Sequence, residues 1–279
     1  AIKWNFCFIW LGELAGCRIQ DAGRKSQVAG GKIQGTRFIL NLESWIMNPE
    51  LLEEKLNHLK QILSEMQSVL VAYSGGADST FLLKVASDVL PRDFLLAVTA
   101  QSETYPSEEI RAARETAKIL GVKHLTIKTD ELANPNFVNN SPQRCYYCKQ
   151  ELFSKLLVMA KENNLNFVAD GTNYDDMNDF RPGMEAAEEL AIRSPLKEAG
   201  LTKQNIRQLS KDLHLSTWDK PSLACLSSRF PYGTKITRKD LVRVEEAERF
   251  LRSLGLKQLR VRHHHEIVRI EIEKSEILK

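Results

Sequence analysis

The sequence has few of the features that mark a membrane, secreted or nucleic-acid-binding protein. No apolar run approaches the length of about 18 residues that a membrane span needs. Five cysteines in 279 residues are too sparse, and odd in number, for the disulfide framework of a secreted protein, so cytosolic thiols or metal ligands are favoured. The net charge of +3 is a weak field that permits an anionic small molecule or RNA but demands neither. We therefore predict a cytoplasmic protein with no membrane or nucleic-acid partner.

Residues 1–46 differ in composition from the rest of the chain. An apolar, aromatic stretch, AIKWNFCFIWLGELAGC, is followed by the polar, glycine-rich RIQDAGRKSQVAGGKIQG. The segment LAGC, residues 14–17, resembles a lipoprotein processing box and would imply a membrane anchor, but only one lysine precedes it and Glu13 adjoins it. We interpret residues 1–46 as an atypical N-terminal extension, with Met47 as the natural start of the protein.

The remaining sequence has the composition and periodicity of an α/β protein. At 43% hydrophobic and 27% charged residues, the chain is long enough for one large or two smaller domains. Apolar residues at helical spacing alternate with short continuous apolar runs, which predicts a doubly wound parallel sheet. The predicted helices span 49–66, 77–90, 107–121 and 148–163, with Ser107 as an N-cap and Gly121 as a stop, and the predicted strands span 69–73, 94–100, 124–128 and 167–170.

The pattern changes after residue 232. A charged amphipathic helix over residues 239–254 is followed by alternating strands at 258–262 and 267–272. These elements predict a small α+β domain over residues 233–279, for substrate binding or oligomerisation, after a main domain over residues 47–232. Because little sequence follows the last strand, we interpret this small domain as incomplete.

A glycine pair, Gly75-Gly76, lies where a predicted buried strand passes into a helix. Glycine allows positive φ and lets a ligand approach the backbone closely. The exposed N–H groups and the helix N-terminus then form an anion site, to which the hydroxyls of Ser74, Ser79 and Thr80 add donors. The Walker A and dinucleotide patterns, GxxxxGK[ST] and GxGxxG, are both absent. A plain strand–helix turn that needs glycine is the structural alternative.

The hexad SGGADS, residues 74–79, resembles the SGGxDS pyrophosphate loop of the ATP pyrophosphatase (PP-loop) superfamily. Enzymes of that superfamily adenylylate carboxyl, carbonyl or amide groups. The resemblance implies that backbone amides cradle the phosphates of ATP and that Asp78 helps to hold Mg²⁺ on the pyrophosphate.

Three cysteines, Cys145, Cys148 and Cys225, leave three interpretations open. A CxxC pair and a distant third cysteine can ligate three corners of a [4Fe–4S] cluster and leave one iron open. Zinc with a histidine as a further ligand is the second interpretation. Buried thiols without any metal are the third.

Several motifs resemble the ATP-dependent sacrificial sulfur transferases of the LarE family. The matching segments, in the family's order, are VAYSGGADSTFLLKVA, NNSPQRCYYCKQELFSKL, ADGTNYDDMNDFRPG, SLACLSSRFPYGT and RSLGLKQLRVRHHHEIVRIEI. The resemblance implies conversion of a pyridinium dicarboxylate mononucleotide into the thiocarboxylated nucleotide of the nickel-pincer cofactor of lactate racemase. In one branch of the family a single cysteine gives up its sulfur. The other branch has three cysteines that hold a [4Fe–4S] cluster, which passes on an extra sulfide catalytically, and this chain resembles that branch.

The resemblance also implies roles for individual residues. We further expect a homo-oligomer, although the sequence does not give the oligomeric state. Planar arginine side chains suit both the phosphate and the carboxylates of the substrate. ATP and Mg²⁺ would be bound by Ser74, Gly75, Gly76, Asp78, Ser79, Thr80 and Arg181; Asp78, Lys149, Cys225 and Glu248 would be catalytic; Ser228, Arg229, Arg260 and Arg262 would bind substrate; and Cys145, Cys148 and Cys225 would be the metal ligands.

Other interpretations stay open for several of these features. Arg260 and Arg262 alternate on a strand and could form a solvated basic edge, and Glu248 on a charged helix is by default a surface residue. The histidine run at 263–265 does not predict a metal site, because strand alternation turns His264 away from its neighbours. The alternative functions are a PP-loop tRNA-thiolating enzyme with its own three-cysteine cluster and a non-enzymatic nucleotide-binding module with structural zinc.

Overall fold

The centre of the fold is a four-stranded parallel sheet. A computed structural model of the chain describes residues 49–178, 182–221, 224–264 and 266–276. The strand order is β3–β2–β1–β4, and all three strand pairs are parallel. The predicted parallel sheet is therefore confirmed. Its strands are β1 (Val69–Ala72), β2 (Leu95–Gln101), β3 (Lys123–Lys128) and β4 (Phe167–Ala169).

Helices cover both faces of this sheet, as a doubly wound fold requires. Along β1, Val69 and Val71 belong to one apolar cluster, whereas Leu70 belongs to a second cluster on the opposite face. Leu63 of the first helix packs in the first cluster, and Phe153 packs in the second. The helices around the sheet are α1 (Pro49–Met66), α2 (Ala77–Val89), α3 (Ser107–Ile119), α4 (Pro135–Val138), α5 (Arg144–Glu162), α6 (Pro182–Glu189), α7 (Pro195–Glu198) and α8 (Lys203–Asp212).

Two of the predicted helix starts are wrong. Ser107 is the first residue of α3 rather than its cap; Pro106 precedes it, and both the backbone N–H and the hydroxyl of Ser107 donate to Glu245. The helix predicted to begin at Cys148 begins at Arg144, whose guanidinium donates to the carbonyl of Ser227 at 3.0 Å. In both cases the first residue of the helix contacts a segment that is distant in sequence, and local spacing does not predict such a contact. The predicted stop of α3 is confirmed, because Gly121 has a φ of +67°.

The last described elements form an antiparallel hairpin against a helix. They are α9 (Arg238–Ser253), β5 (Leu259–His264) and β6 (Ile267–Ile272). Leu241 and Val244 of α9 pack with Phe137 of α4 and with Leu226 and Phe230 in a third apolar cluster. The segment that carries Cys225 is therefore held between the parallel-sheet unit and the hairpin unit. Within the described ranges, no helix is both long and apolar enough to span a membrane.

Candidate active site

The predicted glycine loop lies at the carboxyl end of β1, where ligands bind in open parallel sheets. Gly75 has a φ of +74°, and Gly76 is the N-cap of α2. A Cβ atom on Gly75 would lie 2.8 Å from the Cβ of Ala113 on α3. Glycine is therefore required at position 75 both for the backbone conformation and for the close approach of α3.

The hydroxyl groups of the loop divide into two kinds. The hydroxyls of Ser74 and Ser79 lie 3.1 Å apart, and Ser79 also donates to the carbonyl of Gly76. Thr80, which was predicted to add a donor at the mouth of the loop, is fully buried, and its hydroxyl lies 3.3 Å from that of Tyr73. Thr80 therefore stabilises the loop from inside the core.

A cavity of about 300 Å³ opens above the loop; we call it the loop cavity. Of the residues predicted for the site, it brings together Ser74, Gly76, Asp78, Ser79, Lys149 and Cys225. Gly75 lies beneath this surface, and Arg181 lies outside the described residues.

The carboxylate of Asp78 has the environment of a cation ligand. Its Oδ2 accepts a hydrogen bond from Asn173 at 3.2 Å, whereas its Oδ1 is buried and has no hydrogen-bond partner in the described part of the chain. Burial raises the pKa of Asp78, and the positive charge of Lys203 partly opposes this rise. Burying a carboxylate oxygen without a partner costs free energy, and a bound Mg²⁺ would be such a partner. The residues present therefore fit Mg²⁺ at this position.

Two lysines of the loop cavity were missed by sequence reasoning. The ammonium group of Lys220 donates to the carbonyl of Gly75 at 2.9 Å and forms an ion pair with Glu109 at 2.7 Å. Lys203, the first residue of α8, lines the cavity beside Asp176. Neither lysine lies in a motif, and Lys220 is 145 residues away from the glycine that it contacts. Only the folded chain brings them to the phosphate loop.

The DGTN segment packs directly against the start of α2. A Cβ atom on Gly171 would lie 3.0 Å from the backbone nitrogen of Ser79, so only glycine allows this approach. Asp170 accepts hydrogen bonds from the hydroxyls of Thr172 and Ser194, which fixes the turn. These contacts place the DGTN segment as one wall of the loop cavity.

All three predicted cysteines line a second cavity, of about 260 Å³, which we call the cysteine cavity. Because Cys145 and Cys148 lie three residues apart on α5, their side chains share one helix face. Cys225 lines both the cysteine cavity and the loop cavity. The two cavities also share a wall made by Ala72, Ser74, Tyr105, Glu109 and Lys149.

The surroundings of Cys148 and Cys225 raise the pKa of both thiols and so favour their protonated form. Desolvation raises the pKa of Cys148 well above its usual range, and the neighbouring carboxylate of Glu131 raises it further. Desolvation likewise raises the pKa of Cys225. Metal coordination deprotonates such thiols. Three thiols on one cavity therefore fit a three-cysteine cluster in donor chemistry, although no three metal-binding side chains meet at ligand spacing among the residues that the structure describes.

Arg229 and Glu248 form a buried ion pair behind the cysteine segment. The Nε of Arg229 lies 2.7 Å from Oε1 of Glu248, and the two side chains are 2% and 0% exposed. Arg229 also donates to the carbonyl of Ala224 at 3.0 Å and to the hydroxyl of Ser228 at 2.9 Å. The default interpretation of Glu248 as a surface residue is therefore wrong. Arg229 is fully occupied by protein groups and positions the segment that carries Cys225.

The other predicted substrate ligands lie outside the two cavities. Arg262 binds Glu271 and donates to the carbonyl of Ser228 at 2.9 Å. Arg260 is exposed on β5, and its alternation with the buried Leu259 and Val261 agrees with the predicted strand pattern. Arg260 and Arg262 therefore belong to the hairpin, whereas Ser228 belongs to the Cys225 segment, and none of the three lines either cavity.

The chain is similar in sequence to a protein-family profile and to several known proteins. A family profile described as NAD synthase matches residues 51–163. An uncharacterized protein of Synechocystis sp. is 46% identical over 227 residues, which are 81% of this chain and 84% of that protein. Pyridinium-3,5-bisthiocarboxylic acid mononucleotide synthase of Lactiplantibacillus plantarum is 42% identical over 215 residues, which are 77% of this chain and 78% of that enzyme. An uncharacterized protein of Methanocaldococcus jannaschii is 33% identical over 238 residues and 90% of its length.

Proposed function

Because this chain belongs to the family of pyridinium-3,5-bisthiocarboxylic acid mononucleotide synthases, we propose that it is an ATP-dependent sulfur transferase of the PP-loop type. It adenylylates the carboxylates of a pyridinium dicarboxylate mononucleotide and converts them to thiocarboxylates. The product would serve the nickel-pincer cofactor of lactate racemase. The observation that carries this proposal is the position of Cys225, which lines both the loop cavity and the cysteine cavity.

The first stage uses the loop cavity. A carboxylate oxygen of the substrate attacks the α-phosphorus of ATP, and pyrophosphate leaves with the bonding electron pair. The backbone amides and hydroxyls of the glycine loop stabilise the negative charge that builds on the leaving group. Asp78 would hold Mg²⁺, which would supply further positive charge at the pyrophosphate. Lys149, which lines both cavities, would neutralise charge on the transferred adenylyl group.

The second stage uses the cysteine cavity. A sulfur nucleophile attacks the acyl carbon and AMP leaves, so that a C–S bond replaces the C–O bond of the mixed anhydride. A [4Fe–4S] cluster held by Cys145, Cys148 and Cys225 would supply this sulfur. Arg229 and Glu248 keep the Cys225 segment in place. Tyr105 and Glu109 line both cavities, so the activated carboxyl group would pass them on its way from the loop cavity to the cysteine cavity.

Substrate recognition is assigned to the hairpin side of the molecule. Arg260 and Arg262 on β5 and the hydroxyl of Ser228 would hold the phosphate and the second carboxylate of the mononucleotide. Arg229 is removed from this set because its guanidinium is buried against Glu248. We expect the protein to be a homo-oligomer, in line with the sequence analysis.

Two alternatives have their own distinguishing tests. A tRNA-thiolating enzyme would bind RNA with an affinity that falls steeply with salt. A zinc-containing nucleotide-binding module would retain zinc after anaerobic purification and would release no pyrophosphate. Iron and sulfide bound to the purified protein, without copurifying RNA, would favour the sulfur transferase.

The decisive experiment is anaerobic reconstitution with iron and sulfide, followed by ATP-dependent thiolation of the pyridinium dicarboxylate mononucleotide. Pyrophosphate release and thiocarboxylate formation are measured together. Cys225→Ser should abolish sulfur transfer and leave pyrophosphate release largely intact. Cys17→Ser, in the extension, is the matched control and should retain both. Loss of both activities in Cys225→Ser would instead assign that cysteine a structural role.

A further inference from the structure

A groove along α8 is lined by cations and one aromatic ring, and it has no role in the mechanism above. We call it the basic groove; its volume is about 410 Å³. Lys203 lines both this groove and the loop cavity, so the two spaces adjoin. The full lining is Lys203, Gln204, Arg207, Gln208, Lys211 and Trp218.

The basic groove carries three cations on one face of α8. Lys203, Arg207 and Lys211 follow each other at intervals of four residues and so share one helix face, where like charges repel. Within the described ranges none of them forms a salt bridge, and the Nε of Arg207 is buried without a hydrogen-bond partner. An anion bound in the groove would offset this repulsion.

Side chains, rather than the helix end, create this positive surface. The first amides of α8 are already satisfied by a capping box between Thr202 and Asn205. The ammonium of Lys211 lies 5.2 Å from the ring centre of Trp218, which holds it along the groove. Two carboxylates near the groove are already engaged: Asp175 accepts from the backbone N–H of Lys203, and Asp212 accepts from the side chain of Gln208. Asp78 and Asp176 lie on the loop-cavity side of Lys203.

The loop cavity adjoins both the cysteine cavity and the basic groove. The loop cavity shares six lining residues with the cysteine cavity and shares Lys203 with the basic groove, whereas the cysteine cavity and the groove share none. In a displacement at phosphorus, the leaving group departs on the side opposite the attacking oxygen. The proposed function puts the attacking carboxylate on the Cys225 side, so the pyrophosphate leaves on the other side, and Lys203 is the loop-cavity residue that also lines the groove.

The charge around Asp78 agrees with this direction. Burial raises the pKa of Asp78, and the groove cations Lys203 and Arg207 both act against that rise. Their positive charges are therefore felt at the residue assigned to the magnesium ion of the pyrophosphate. This end of the loop cavity is the one that opens toward the groove.

We propose that the basic groove is a second anion site, which receives inorganic pyrophosphate as it leaves the loop cavity. The proposal rests on the adenylylation step of the proposed function. Lys203 is the contact common to both sites, Arg207 offers a planar fork to a phosphate, and Lys211 provides the outermost charge. No bond is made or broken in the groove. By binding the released pyrophosphate, the groove leaves less of it in the loop cavity, next to the newly formed adenylate.

The test is a calorimetric titration of magnesium pyrophosphate into the full chain. The protein is first saturated with an ATP analogue in which a methylene group bridges the α- and β-phosphorus atoms. The analogue fills the loop cavity, so the remaining binding reports the groove. We expect one further pyrophosphate to bind, and the double variant Arg207→Gln/Lys211→Gln to weaken it about tenfold while analogue affinity changes less than about twofold. Lys161→Gln, an exposed lysine on α5, is the control and should change neither affinity.

Two results would overturn the proposal. One is the absence of pyrophosphate binding to the analogue-saturated protein. The other is an equal loss of analogue and pyrophosphate affinity in the double variant, which would make the groove part of the loop cavity. Because Lys211 is exposed, Lys211→Glu repeats the test without disturbing the core, and a thermal melt confirms its folding. The titration contains neither substrate nor sulfide, so its result is independent of whether thiolation occurs.

Discussion

The guanidinium of Arg229 and the carboxylate of Glu248 meet at 2.7 Å with almost no exposure to solvent. Glu248 also accepts from Arg252 at 2.9 Å and from the backbone N–H of Val261 at 3.1 Å. This carboxylate therefore connects α9, β5 and the Cys225 segment. The buried negative charge of Glu248 therefore couples the hairpin unit to the cysteine segment, in addition to the hydrogen bond from Arg262 to the carbonyl of Ser228.

Removing that charge should destabilise the protein strongly. Glu248→Ala leaves Arg229 buried and unpaired, and we expect a loss of about 3–5 kcal/mol in the free energy of unfolding. Glu246→Ala, on the exposed side of the same helix, should change it by less than about 0.5 kcal/mol. Urea denaturation measures both. Equal, small effects of the two variants would show that the ion pair does not hold the segment.

Gly75→Ala should cost free energy in two ways, through backbone strain and through a steric clash, whereas alanine at Gly233 should cause only the strain. Gly75 and Gly233 have φ angles of +74° and +82°, so alanine at either position costs about 1–2 kcal/mol in backbone strain. Only at position 75 does the added Cβ meet another atom, Ala113 Cβ at 2.8 Å, whereas nothing lies within 4 Å at position 233. We expect both variants to lose stability but only Gly75→Ala to lose affinity for an ATP analogue. A comparable loss of affinity in Gly233→Ala would contradict this assignment.

The pH dependence of magnesium-dependent nucleotide binding should report Asp78. Because burial raises its pKa, Asp78 takes up a proton at a higher pH than an ordinary aspartate does, and protonation removes the cation ligand. Affinity for the magnesium–ATP analogue should therefore fall as the pH is lowered from about 8 to about 5. Asp78→Asn should bind weakly at every pH and lose this slope. Asp88→Asn, on the same helix, should keep the slope of the unmodified protein.

The three thiols should differ in reactivity before a metal is added. Cys145 is exposed, whereas Cys148 and Cys225 are half-buried and have raised pKa values because of desolvation. Iodoacetamide should therefore label Cys145 first, and labelling of the other two should accelerate only as the pH becomes alkaline. Peptide mass spectrometry gives the three rates. After reconstitution with iron and sulfide all three should be protected together; protection of the CxxC pair alone would argue against Cys225 as a ligand.

Local patterns in the sequence were sufficient for most of the fold. Apolar periodicity predicted the parallel sheet and α1 with its bounds, because burial on one or both faces repeats every few residues. The hexad from Ser74 to Ser79 predicted a phosphate loop with a positive-φ glycine, and Gly75 has that conformation. These features depend on neighbouring residues, so the sequence by itself determined them.

The partners across the site were decided only by the tertiary structure. Lys220 reaches Gly75 from 145 residues away, and Lys203 joins the loop cavity to the basic groove. Glu248 has the pattern of a surface residue yet is fully buried, and Thr80 turns from the loop into the core. Such contacts depend on how distant segments close on one another, and the free energy of placing a charge depends on its surroundings in three dimensions. Local periodicity in the sequence predicts neither these long-range contacts nor the free energy of burying a charge, because both depend on the folded structure.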